Sequence, residues 1–192
     1  MRIISGKWGG RRLLSFRADH IRPTTDRVKE SIFNRLQPYL PEARVLDLYA
    51  GTGNLSFEAL SRGAAYVESV ENHRKSIQII QSNRRHLGLD GGAGGGGEGE
   101  QRVVCEDVMR FLRRYAGSGF DLILIDPPFT QSLADATMSA LSESQVCKNG
   151  TIVVIESSGQ EPIADQYGVL QLEARKIFGD KTVSFFVVEK PT

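Results

Sequence analysis

The chain has 192 residues, 40% hydrophobic and 24% charged, which suits one soluble domain with a real core and excludes a disordered polyelectrolyte. No apolar run approaches membrane-spanning length, and the first residues lack the hydrophobic stretch of a signal peptide. Two cysteines without ligand spacing leave no disulfide framework or metal site, so a cytoplasmic protein with reduced thiols is expected.

Net charge is only +1, but residues 1–35 carry nine basic against three acidic side chains, +6, while the remainder totals −5. A basic front end on an acidic body suggests a polyanion partner, and a merely solvated basic surface is the alternative. Arg2–Ser5 and Arg11–Ser15 flank Gly6-Lys7-Trp8-Gly9-Gly10, the pattern of a short hairpin. Lys7, Arg11 and Arg12 around Trp8 can grip phosphates while the indole stacks on a base; Trp8 can equally fold back as an apolar anchor. A helix follows, with Thr24 as N-cap, Asp26 in its first turn and Val28, Ile32 and Leu36 on the inward face. Arg22 and Arg27 flank its start, as nucleic-acid contacts or as a solvated helix end. Pro38 and Pro41 close the segment, which sets residues 1–40 as a basic extension and 41–192 as the main domain.

Arg44–Leu48 reads as the first core strand, and Tyr49-Ala50-Gly51-Thr52-Gly53-Asn54 as a tight turn whose glycines let a ligand approach the backbone. Asn54 is expected to cap the helix Leu55–Arg62. The next strand, Tyr66–Glu71, ends on an acid suited to ribose hydroxyls, so the βαβ unit has the parts of an adenosyl site. A dinucleotide site places a third glycine where Ser56 stands. The acid-led turn beginning at Asp47 suits instead a phosphate-free cation such as S-adenosylmethionine (SAM), whose ammonium a carboxylate attracts. His73–Leu87 patterns as a helix with Ile77, Ile80 and Leu87 inward. The glycine-rich run 91–99 lacks a phosphate-loop signature and is given no chemistry.

Arg102–Cys105 is a third strand. Beyond it Asp107 is placed to accept from an adenine amino group with Val108 donating a backbone N–H, or to cap a helix over Val108–Arg114. The apolar run Phe120–Ile125 is a buried strand, and Asp126-Pro127-Pro128-Phe129 stands at its C-terminal end, where open α/β sheets bind ligands. A carboxylate and a proline carbonyl can accept both hydrogens of a planar amine while the ring stacks on its base; a capped proline turn with a packed Phe is the bland alternative. A helix over Ser132–Ser144 and strands at Gly150–Glu156, Val169–Ala174 and Thr182–Glu189 complete the pattern, the last two as a closing antiparallel hairpin.

Taken together, D-L-Y-A-G-T-G, the acids at Glu71 and Asp107, and D-P-P-F resemble class I SAM-dependent methyltransferases of exocyclic amines. G-K-W-G-G-R-R-L, R-P-T-T-D-R-V-K-E-S-I-F-N and E-A-L-S-R-G-A resemble more closely the RsmD family, which methylates guanine N2 in small-subunit ribosomal RNA. That resemblance implies a Rossmann-like α/β fold: a seven-stranded, mostly parallel sheet ordered 3-2-1-4-5-7-6, with helices on both faces. It implies a SAM pocket at Asp47, Tyr49, Ala50, Gly51 and Gly53, continued by Glu71, Asn72, Asp107 and Val108. It implies catalysis by Asp126, Pro127, Pro128 and Phe129, with Phe129 where many relatives carry Tyr. The implied partner is ribosomal RNA or the 30S particle, bound by a monomer without metal or membrane. An adenine-N6 DNA methyltransferase, an NAD-dependent oxidoreductase and a non-catalytic RNA-binding protein are the rivals. The first lacks room for a target-recognition domain, the second is opposed by Ser56 and D-P-P-F, and the third rests on the basic front end alone.

Overall fold

The computed structural model describes residues 1–16, 26–89, 99–128 and 133–189. Arg22, the Thr24 cap, Phe129 and nearly all of the glycine run lie outside the described residues.

Five strands make the parallel part of the sheet: β1 (Arg44–Leu48), β2 (Tyr66–Glu71), β3 (Glu100–Cys105), β4 (Phe120–Ile125) and β5 (Cys147–Ser158). The central β4 is an apolar run buried on both faces, and the edge strand β3 is partly exposed. After β5 the chain adds the two-residue β6 (Gln166–Tyr167) and the longer β7 (Leu170–Phe178) and β8 (Lys181–Val188). The sheet runs β3-β2-β1-β4-β5-β8-β7-β6. Its first five members are parallel, and β8 is antiparallel to both β5 and β7. The expected seven-strand order is therefore present, with β6 as an extra outer strand paired only to Leu170 and Gln171. Past that pairing β7 shifts register around Glu173 and carries exposed Arg175 and Lys176.

Alternation along β1 divides two cores. Val45 joins Leu122 and Leu124 on one face, while Leu46 and Leu48 join Ile123 and Ile125 on the other. The second face is covered by α4 (Val108–Arg114) and α5 (Ala134–Glu143). The first is covered by α1 (Asp26–Leu36), α2 (Asn54–Ser61), α3 (Arg74–Leu87) and the N-terminal hairpin.

The hairpin is held by one antiparallel bridge, Arg2 to Arg12, and by bonds from the Ile3 amide to the Arg11 carbonyl and from the Gly10 amide to the Ile3 carbonyl. Its tip corrects one expectation. Trp8 is 3% exposed and packs in the same core as Phe33 and Phe57, so the anchor alternative holds and its ring offers no face to a base. Burying a large indole outweighs leaving it in water. Close docking fixes the turn: a Cβ at Gly6, where φ is +84°, would stand 1.8 Å from the Ser61 carbonyl oxygen. The Lys7 amide donates to that carbonyl at 2.7 Å and the Ser61 hydroxyl donates to the Ser5 carbonyl at 2.6 Å, so the hairpin caps the end of α2.

A buried charge cluster locks this arrangement. Glu58, fully enclosed on α2, accepts from the Ile4 and Ser5 amides at 2.7 and 3.1 Å and from Arg62 Nε at 2.7 Å. Lys29 Nζ lies 3.1 Å from Glu58 and donates to the Arg2 carbonyl at 2.6 Å and to Asn54 Oδ1 at 2.8 Å. Burial pushes the Lys29 ammonium below its usual value, opposed by Glu58. Asn54 is thereby diverted from the capping role expected of it: Gly53, at φ +85°, is the cap, with no side-chain bond. Glu58→Ala strands two buried cations and two amides, and is expected to cost about 3–5 kcal/mol, read as a lower urea midpoint at unchanged slope.

Candidate active site

The functional edge follows from strand register. Leu48 pairs with Val70 on one side and with Ile125 on the other. Glu71 and Asp126 are each the next residue, so they stand level at the C-terminal edge on either side of β1, roughly 10 Å apart across two strand spacings. The Asp126 amide donates to the Leu48 carbonyl at 3.4 Å. Pro127 is buried and Pro128 exposed, leaving half-buried Asp126 as the acid at this rim.

The turn after β1 is stiff. Tyr49 adopts φ +62°, an uncommon backbone conformation for a large residue. Its hydroxyl lies 2.7 Å from Thr137 Oγ1, whose own proton goes to the Leu133 carbonyl at 2.6 Å, so Tyr49 is the donor. Burial raises the Tyr49 phenol above its ordinary range. This bond ties the glycine turn to α5, the helix that follows the Asp126 segment. The Ala50 amide donates to the Val70 carbonyl at 3.1 Å, and the Gly51 amide to Glu71 Oε2 at 2.8 Å. Glu71 Oε1 accepts from the His73 amide at 2.8 Å. Two amides thus aim a half-buried carboxylate, and each oxygen retains acceptor capacity for a hydroxyl. Above Gly51 the ground is open, since a Cβ there would meet only the Tyr49 carbonyl oxygen at 3.9 Å.

Asn72 is exposed beside Glu71. Asp107 caps α4, accepting from the Arg110 amide at 3.0 Å through Oδ1, and Val108 opens the helix with an amide of its unpaired first turn. One Asp can serve as cap and as ligand acceptor. Glu71, Gly51 and Asp107 therefore fit an adenosyl group laid over the turn.

Asp47 departs from expectation. It is 1% exposed and sits beneath α2, where Ser56 donates to its Oδ2, and it does not present a carboxylate to the open side of the turn. Ser56 also meets Ser69 Oγ at 2.8 Å, and Gln101 Nε2 donates to Ser69 at 2.9 Å, giving a buried polar chain across β1, α2, β2 and β3. Ser56, where a dinucleotide fold keeps glycine, is thus a structural link.

Lys7, Arg11, Arg12 and Arg27 are exposed. Sequence reasoning missed Lys29, Glu58 and Asn83, the last a fully buried α3 amide that holds residue 14 and reaches the Thr52 carbonyl at 3.4 Å. Their only signal is a polar residue at an inward helical position. Among the described residues no cluster of His, Cys, Asp and Glu could hold a metal ion, and no helix is long and apolar enough to cross a membrane.

Burial raises Asp47 from 3.8 to about 7. Between those values the folded chain keeps a proton that the unfolded chain has released, so this group withdraws stability as pH rises through that window. Thermal unfolding of the wild type should fall by several degrees more than that of Asp47→Asn between about pH 5 and about pH 8.

Residues 1–187 match the family model described as "Conserved hypothetical protein 95". The chain is 35% identical to "Putative rRNA methyltransferase YlbH" of Bacillus subtilis (strain 168), over 97% of this chain and 98% of that protein. It is 34% identical to "Ribosomal RNA small subunit methyltransferase D" of Haemophilus influenzae, over 85% and 81% respectively. The fold is similar to the solved "Putative methyltransferase yhhF" of Escherichia coli, with TM-score 0.83, 32% identity and 98% of each chain covered.

Proposed function

The chain belongs to the RsmD family, matched over nearly its whole length, and on that premise we propose that it transfers a methyl group from SAM to the exocyclic N2 of a guanine in small-subunit ribosomal RNA. The observation that carries the reading is the level placement of Glu71 and Asp126 on either side of Leu48. Their separation matches a ligand whose ribose is held at one end and whose transferable group is delivered at the other.

When bound, SAM supplies an electrophilic methyl on a sulfonium. Glu71 accepts from the ribose hydroxyls, and Asp107 with the Val108 amide reads the adenine edge. A guanine amino group is a poor nucleophile because its lone pair is delocalised into the ring. Asp126 and the Pro127 carbonyl accept its two hydrogens, favour pyramidal nitrogen and aim the lone pair at the methyl carbon. Phe129, which follows Pro128 in the same tetrapeptide, stacks on the base, which must leave its helix to be reached. The C–S bonding pair would stay on the SAM sulfur as the methyl passes to nitrogen, so the protein's part is to place and polarise the amine. The Asp126 carboxylate stabilises the positive charge on nitrogen until one N2 proton passes to solvent. Lys7, Arg11, Arg12, Arg22 and Arg27 supply the charge that holds RNA in a 30S particle or a precursor of it.

Asp126→Ala is expected to lower kcat by about a hundredfold or more with SAM affinity by calorimetry unchanged. Glu71→Ala is expected to weaken SAM binding roughly tenfold or more. Methyl transfer to 30S particles, naked ribosomal RNA and DNA, followed by nucleoside mass spectrometry, tests the substrate; N6-methyladenine as the product would overturn it.

A further inference from the structure

The chain leaving the hairpin is pinned in an unusual way. The Leu14 amide donates to Asn83 Oδ1 at 2.7 Å, and the Leu14 carbonyl accepts from Asn83 Nδ2 at 3.0 Å. A residue whose N–H and C=O point the same way is in extended backbone, so neighbouring side chains alternate between faces. Leu13 is 5% exposed and enters the core, whereas Leu14 is 55% exposed. Arg12 and Phe16 share the parity of Leu14. Phe16 reaches His73, its ring edge-on at 6.0 Å between centroids, and the His73 amide is one of the two that aim Glu71. A cation, an aliphatic side chain and an aromatic ring therefore run in file from the hairpin toward the ribose end of the site.

A single exposed leucine is ordinary on a protein surface. This one is held by a buried amide rather than left on a loose chain, and exposed Arg12 precedes it on the same side of the strand. Arg11 and Arg12 have no carboxylate partner among the described residues. A cation beside an exposed apolar side chain complements a strand that alternates phosphates with exposed base faces.

We propose that Arg12 and Leu14 form a contact strip for an unpaired RNA strand next to the target nucleotide, the guanidinium on its phosphates and Leu14 against the face of a splayed base. This rests on the RNA-methylation reading above and assigns to Leu14 the apolar contact that buried Trp8 does not make.

The test places a photo-crosslinking benzoylphenylalanine at Leu14 in the full chain, with the same probe at Tyr39, also 55% exposed, as control. After irradiation with 30S particles and with naked small-subunit RNA, position 14 is expected to crosslink to RNA several-fold above position 39. Leu14→Asp is expected to weaken RNA binding about tenfold with SAM affinity unchanged. Equal crosslinking at both positions, crosslinking at 14 to ribosomal protein alone, or unchanged RNA affinity in Leu14→Asp would overturn the strip. Failure of the wild type to methylate any RNA removes the functional reading instead, and a crosslink from position 14 to RNA would still stand.

Discussion

The carboxylate of Glu58 is the point through which the N-terminal third of the molecule is joined to the sheet. Enclosing an anion in a protein core costs several kcal/mol of lost hydration, and here two amides, a guanidinium and an ammonium offset it. Each of those partners belongs to a different piece of chain. The amides are the hairpin's, Lys29 is on α1 and Arg62 ends α2. Because Lys29 also bonds Asn54, the residue after the glycine turn, the basic hairpin and the turn rest on one floor. The hairpin and α1 are therefore built into the same apolar face as α2 and α3, with Ile3, Trp8, Leu13 and Phe33 in one cluster with Phe57 and Ile80.

The glycine turn is stiffened from three further directions. Below it, the chain from Asp47 through Ser56 and Ser69 to Gln101 crosses the sheet under α2. To one side, Tyr49 is tied to α5 through Thr137; to the other, Glu71 takes the Gly51 amide. A turn held in this way arrives at its ligand already shaped, so less ordering entropy is lost on binding. The same bonds connect the two halves of the site, the sugar end at β2 through Glu71 and the α5 side that follows β4 through Tyr49.

Much of this was legible in the residues. The strands β1, β2 and β4 lie where the sequence places them, each stopping at a turn residue, an acid or a proline, although buried Asp47 and Ser69 interrupt the apolar pattern of the first two. The level placement of Glu71 and Asp126 follows from those boundaries together with parallel topology. What the residues did not disclose depends on partners far along the chain. Trp8 could not be assigned to core or surface until α2 was known to receive it, and Asn54 lost its capping role to a lysine 25 residues earlier. Asn83 stood at an inward position of α3 with no partner near it in sequence until Leu14 came to lie beside it. β6 was invisible because two residues carry no periodicity.

The outer strand β7 has a consequence for how the protein behaves in company. An unpaired strand edge offers its amides and carbonyls to any other chain and can seed fibrous self-association. Here β6 covers only the first two residues of that edge, and beyond them a bulge at Glu173 and the charges of Arg175 and Lys176 break its flatness. Residues 163–165 continue along that edge, the Leu172 amide donating to the Asp165 carbonyl and Arg175 reaching the Ile163 carbonyl, so covering chain and charge together close this eight-stranded sheet to lengthening on that side.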